Sequence, residues 1–103
     1  KSGGVTDTNL PPVSCLSQNY PNPFNPATTI EFGIEEADRV KITVYDAAGR
    51  RVTILTDRIY PAGSHQVAWN GTGSRGNRMP SGLYFYRMES GSDIITRKMV
   101  LLR

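Results

Sequence analysis

Apolar residues along this chain recur at every second position in short runs, and clusters of Gly, Pro, Asn and Asp separate the runs. That period belongs to half-buried β-strands; no stretch sustains the helical period. The clearest run is Arg39 to Asp46, where Val40, Ile42 and Val44 alternate with Lys41, Thr43 and Tyr45. Thr28 to Ile34 does the same, with Ile30, Phe32 and Ile34 on one face and Thr29 and Glu31 on the other. The charged link Glu35-Glu36-Ala37-Asp38 is short enough for a hairpin between these two strands. Ala47-Ala48-Gly49-Arg50 then ends in a glycine able to take positive φ, the device of a bulged hairpin loop. The returning strand is Arg51 to Thr56, with Val52 and Ile54 as its inward pair.

Tyr60-Pro61-Ala62-Gly63 is a second turn, and Ser64 to Trp69 a strand with Val67 and Trp69 on one face. A long Gly-rich connection, Asn70 to Asn77, leads towards the aromatic strand Gly82 to Glu89. That strand is apolar on both faces, with Leu83 and Phe85 opposing Tyr84, Tyr86 and Met88, which predicts a central strand covered on both sides. Ser90-Gly91-Ser92-Asp93 turns it into the last strand, Ile94 to Leu102. With a short first strand at Val13 to Ser17 the total is about seven, and the spacing predicts an all-β, immunoglobulin-like antiparallel sandwich. Residues 1–12, KSGGVTDTNLPP, read as a linker, leaving 13–103 as the domain.

The 103 residues suffice for one domain with one modest core. There is no apolar run long enough for a membrane helix, so membrane insertion is not expected. The chain opens on Lys1 without a signal-peptide pattern, which reads as an excised piece of a larger protein. Its formal charge of +3 comes from 12 basic and 9 acidic residues that are interspersed. Nucleic-acid binding is not expected, since phosphate readers cluster their cations.

Candidate chemistry is thin. Cys15 is the single cysteine, open to reading as a small buried hydrophobe, a free thiol or an interchain link. His65 is the single histidine and reads as a packing or edge residue; one His and one Cys make no standard zinc site. A Cys15–His65 pairing is left open, without a supporting motif. The carboxylates fall mostly in turns, as at Glu35, Glu36, Asp38, Asp46 and Asp93, where they are ordinary solvated residues. GTGSRG at 71–76 lacks the Lys-Ser/Thr ending and the following helix of a phosphate loop. Asn70-Gly71-Thr72 has the form of a glycosylation sequon. Trp69, Tyr84 and Tyr86 could form a carbohydrate platform, although core packing suits Trp69 better. No catalytic residue, metal site or cofactor is assigned.

The segment Asn19-Tyr20-Pro21-Asn22-Pro23-Phe24-Asn25-Pro26 stands apart, with three prolines and three asparagines in eight residues. Proline fixes φ and removes a donor, and Asn side chains cap the backbone groups left over. The expectation is a rigid corner that Tyr20 and Phe24 pin to the core.

This segment, within Leu16 to Ile30, resembles the opening signature of the type A C-terminal sorting domain of type IX secretion, shared with the Ig-like domain of the flagellar hook-capping protein. The likeness continues through Val44-Tyr45-Asp46 with Gly49-Arg50, Ala62-Gly63-Ser64-His65 with Trp69-Asn70-Gly71, Ser81-Gly82-Leu83-Tyr84-Phe85-Tyr86 and Arg97-Lys98-Met99-Val100-Leu101. The resemblance implies a non-catalytic tag on a larger secreted or surface protein, often a hydrolase or adhesin, that passes through the periplasm. Its implied partners are the outer-membrane secretion machinery, a sortase-like peptidase and the upstream domains of the same parent chain. The element read by the translocon would be Arg97, Lys98, Met99, Val100, Leu101, Leu102 and Arg103, with cleavage in or before residues 1–12. As an edge strand it would offer an unpaired ladder and positive charge. The alternatives are a hook-cap-like or surface Ig assembly module, and a carbohydrate-binding module of a secreted glycosidase.

Overall fold

The computed structural model describes residues 14–103, so the linker at 1–12 and Val13 lie outside the described residues. Seven strands form two antiparallel sheets packed face to face. They are β1 (Ser14–Leu16), β2 (Thr28–Ile34), β3 (Asp38–Asp46), β4 (Arg51–Tyr60), β5 (Gly63–Trp69), β6 (Gly82–Ser90) and β7 (Asp93–Leu101). One sheet has the order β1-β2-β5, the other β4-β3-β6-β7. The predicted all-β, immunoglobulin-like sandwich is what the chain forms.

The alternating residues meet between the sheets. Ile30 and Phe32 from β2 face Val40, Ile42 and Val44 from β3, Tyr86 and Met88 from β6, and Met99 and Leu101 from β7, all at most 2% exposed. Burial of this order stabilises by about 1.5–3 kcal/mol per large side chain. Gly49 has φ 86° and closes the β3–β4 hairpin as expected. There Asp46 Oδ1 accepts from the N–H groups of Ala48 (3.0 Å) and Arg50 (2.9 Å). Those bonds, that of the Arg50 N–H foremost, hold the Asp46 carboxyl below its ordinary value.

Three expectations need correction. The link at 35–38 is not a hairpin: β2 pairs with β1 and β5, β3 with β4 and β6, so the chain crosses between sheets there. Crossing lets the inward faces of β2 and β3 bury each other. In β4, Ile54 points out and is 39% exposed, because register shifts opposite Ile42/Thr43 and Val44/Tyr45 change the parity. Val52 and Leu55 take the inward positions instead. Finally, β6 is central but covered on one face only: Tyr84, Tyr86 and Met88 are buried while Leu83 is 39% exposed.

Phe24 lies between strands yet is 1% exposed, its ring 5.7 Å from that of Trp69. Phe24→Ala is expected to lower unfolding free energy by about 3–5 kcal/mol in denaturant titration, as deletion of a core aromatic does.

Candidate functional site

The Pro-Asn segment and the terminal strand, 70–80 residues apart in sequence, form one structure. After β1, the Tyr86 hydroxyl donates to the Ser17 carbonyl at 2.7 Å and accepts from the Asn19 N–H at 2.8 Å. Asn19 is 2% exposed. Its Nδ2 donates to Thr28 Oγ1 (3.0 Å) and the Pro21 carbonyl (3.1 Å), and Thr28 Oγ1 donates to that carbonyl at 2.8 Å. Proline supplies acceptors but no donor, so these amide and hydroxyl hydrogens satisfy the corner. The Tyr20-Pro21, Asn22-Pro23 and Asn25-Pro26 peptide bonds are cis.

The corner then runs along β7. Val100 N–H donates to Asn22 Oδ1 (3.0 Å), Phe24 N–H to the Val100 carbonyl (3.0 Å) and Leu102 N–H to the Phe24 carbonyl (2.9 Å). Gln18 Nε2 donates to the Lys98 carbonyl at 2.7 Å. The ladder edge expected to be unpaired is thus closed from the Lys98 carbonyl to Leu102. Tyr20 does not pin the corner: it is 81% exposed, with its backbone bridged to Thr29, and Phe24 alone reaches the core.

The predicted recognition residues separate into three groups. Met99 and Leu101 are fully buried core residues. Arg97 and Arg103 are engaged within the fold: Arg97 Nε donates to the Leu16 carbonyl, and Arg103 Nε to the Met79 carbonyl at 2.7 Å. The Arg103 guanidinium also reaches the Gly71 carbonyl, and the Arg103 backbone N–H donates to Ser81 Oγ at 2.8 Å. Gly71 has φ 78°, a conformation that favours glycine, and a Cβ there would stand 2.9 Å from the Arg103 guanidinium, which would have to shift. Lys98, Val100 and Leu102 remain to present side chains outward, Leu102 at 50% exposure.

Trp69, 2% exposed, stacks edge-on against Tyr84 at 5.2 Å and donates Nε1–H to the Thr72 carbonyl at 2.8 Å. Trp69, Tyr84 and Tyr86 are all core residues, so the carbohydrate platform does not exist. Gly82 is the first residue of β6, with φ 155°. His65 packs against Phe32 (5.5 Å) and Tyr60 (4.8 Å) on the inner side of its sheet, with Nε2 2.7 Å from the Pro61 carbonyl. Cys15 is exposed, not a buried hydrophobe. It pairs with Gly33 on the outer side of the same sheet, whereas His65 pairs with Phe32, so the two cannot act together. Among the described residues no three His, Cys, Asp or Glu side chains gather into a metal site. Sequence reasoning missed Gln18 as a cap on β7 and Tyr86 as the anchor of the corner; neither contact leaves a local signature.

Two antiparallel sheets, core aromatics between them and a corner locked to the last strand define an immunoglobulin-like module. The chain belongs to the FlgD Ig-like domain family, which matches residues 23–93. Latent PorU from Porphyromonas gingivalis is similar over 95% of this chain and 10% of that protein, with TM-score 0.75 and 22% identity. PorZ, a surface component of the type IX secretion system of that organism, is similar over 84% of this chain and 11% of its own, with TM-score 0.59 and 22% identity. FlgD from Xanthomonas campestris, a hook-capping protein, is similar over 86% of this chain and 65% of its own, with TM-score 0.60 and 24% identity. The chain spans about a tenth of PorU and of PorZ. No curated protein sequence matches it.

Burial raises the phenol pKa of both Tyr84 and Tyr86 above the ordinary 10.0. The folded state therefore holds these protons more tightly than the unfolded chain. Their contribution to stability is complete below pH 10 and declines as pH rises above it towards the folded values. Tyr86→Phe strands the Ser17 carbonyl and the Asn19 N–H. It is expected to cost about 1–3 kcal/mol at neutral pH and to make the alkaline decline of stability shallower, both readable by urea titration across pH 7–11.

Proposed function

We propose that this domain is a sorting module that directs a larger parent protein across the outer membrane by type IX secretion, without catalysis of its own. The supporting observation is that the corner 17–26 and the strand 93–101 form one locked unit. The sorting-type signature, Leu16 to Ile30, contains the whole of one half, and Arg97 to Leu101 falls in the other. Similarity to PorU over 95% of the chain is consistent with this, since it leaves out fewer residues than β7 contains. The partners on this reading are the secretion machinery, a sortase-like peptidase acting in or before residues 1–12, and the upstream domains of the parent. The destination is the cell surface or the medium, by way of the periplasm.

Deleting residues 97–103 would remove Met99 and Leu101 from the core and test folding as much as sorting. An exposed substitution is cleaner. A reporter fused to residues 1–103 is expected in the medium or on the surface of a type IX-competent host, and Leu102→Glu to reduce export at least about tenfold, the scale of an interface anchor. Periplasmic retention of the unaltered fusion, or export of Leu102→Glu at the unaltered level, would count against the reading.

A second reading follows from the family match: an assembly module of the hook-cap kind. It predicts self-association of the isolated domain in sedimentation, where the sorting reading predicts a monomer.

A further inference from the structure

Among the described residues, the outer edge of β7 is closed at one end and open at the other. In an antiparallel ladder every second residue turns both N–H and C=O away from its neighbour. Val100 does so, because both its groups are taken by the 22–24 segment. The β6–β7 register has no shift, so Lys98, Thr96 and Ile94 turn outward in the same way. The Lys98 carbonyl is taken by Gln18. Both groups of Thr96, both of Ile94 and the N–H of Lys98 have no hydrogen-bond partner among the described residues. The Ile94 side chain is 66% exposed. A surface cavity of about 330 Å³ opens alongside, lined by Gln18, Phe85, Thr96, Arg97 and Lys98.

Charge at this edge is one-sided where the cavity lies. Arg97 and Lys98 stand there; Glu89 is engaged by Arg87 at 3.5 Å, and Asp93 sits at the far end by the turn. Lysine on an edge usually discourages pairing with other strands. Here it borders free ladder groups and a side-chain cavity, an arrangement that selects a guest instead of excluding all.

We infer that Ile94–Lys98 is a β-addition site for an extended acidic segment of a partner protein. The guest completes the ladder on Ile94, Thr96 and Lys98, lays one side chain over Phe85, and sets its carboxylates against Arg97 and Lys98. The inference deepens the sorting reading and rests on it for its setting, while the binding itself is measured without the secretion machinery.

The probe is a ten-residue peptide of alternating Thr and Glu, titrated into the whole chain and followed by amide NMR. Saturable shifts and slowed exchange at Ile94, Thr96 and Lys98 are expected, weakening with added salt, with no binding by the Thr-Lys counterpart. The Thr96 N–H points away from β6, so Thr96→Pro removes the outward donor and keeps the ladder; a loss of at least tenfold in affinity is expected. A peptide N-methylated at alternate residues makes the same test on an unaltered domain. No binding at millimolar peptide, equal binding of the Thr-Lys peptide, or full affinity of the N-methylated peptide would overturn the inference. So would self-association abolished by Thr96→Pro, which would make a second copy the occupant. In the export assay, normal export of Thr96→Pro with failed export of Leu102→Glu would remove the site from sorting and leave the sorting reading. Normal export of both would remove the sorting reading itself.

Discussion

A phenol in the middle of a protein core must find hydrogen-bond partners, and Tyr86 finds both of its partners in the backbone that follows β1. This is the tie on which the C-terminal edge of the domain depends. Tyr86 belongs to the four-stranded sheet and the Ser17–Asn19 backbone to the chain leaving the three-stranded one, so one hydroxyl joins the two layers. With Asn19 fixed, the acceptor-rich Pro21 can be satisfied by Asn19 and Thr28, and the corner is delivered to β7 with Phe24 aimed into the gap beside Trp69. Loss of the hydroxyl would loosen everything downstream to Asn25.

The edges of the larger sheet are managed differently. At β4 the two bulges that put Val52 and Leu55 inward also disturb the outer ladder, and the Ser74 N–H caps the Val52 carbonyl. At β7 the corner covers the C-terminal half, and Arg103 clasps the carbonyls of Gly71 and Met79. On the turn-proximal half of β7 the ladder is regular and, among the described residues, uncapped. The two edges of this sheet are thus treated differently, one bent by bulges and the other capped over its C-terminal half.

Most of the architecture was legible because alternation is a local property. Val40, Ile42 and Val44 point inward in the sequence pattern and are fully buried in the fold. Gly49 could be placed from its turn, and Trp69 from its strand parity. The failures have non-local causes. Ile54 was misplaced because a bulge is set by the partner strand, and the 35–38 link because hairpin and inter-sheet crossing have the same length and composition. Gln18 capping Lys98 spans 80 residues, and no periodicity encodes it. Of the terminal residues, the sequence could offer the strand but could not sort buried Met99 and Leu101 from engaged Arg97 and Arg103, or from outward Lys98 and Leu102.

The distance in sequence between the corner and β7 has a consequence for the order of events during synthesis. Asn22, Phe24 and Gln18 are made early, yet their partners at Lys98, Val100 and Leu102 emerge some 76–80 residues later. Contacts of such separation form late and slowly. Until β7 arrives, Phe24 has no strand to bridge and Tyr86 no neighbour at Arg97, so the edge in its finished form does not exist on a growing chain. A receptor for that edge would therefore distinguish a fully made domain from an unfinished one, and the fold itself would act as the signal of completion.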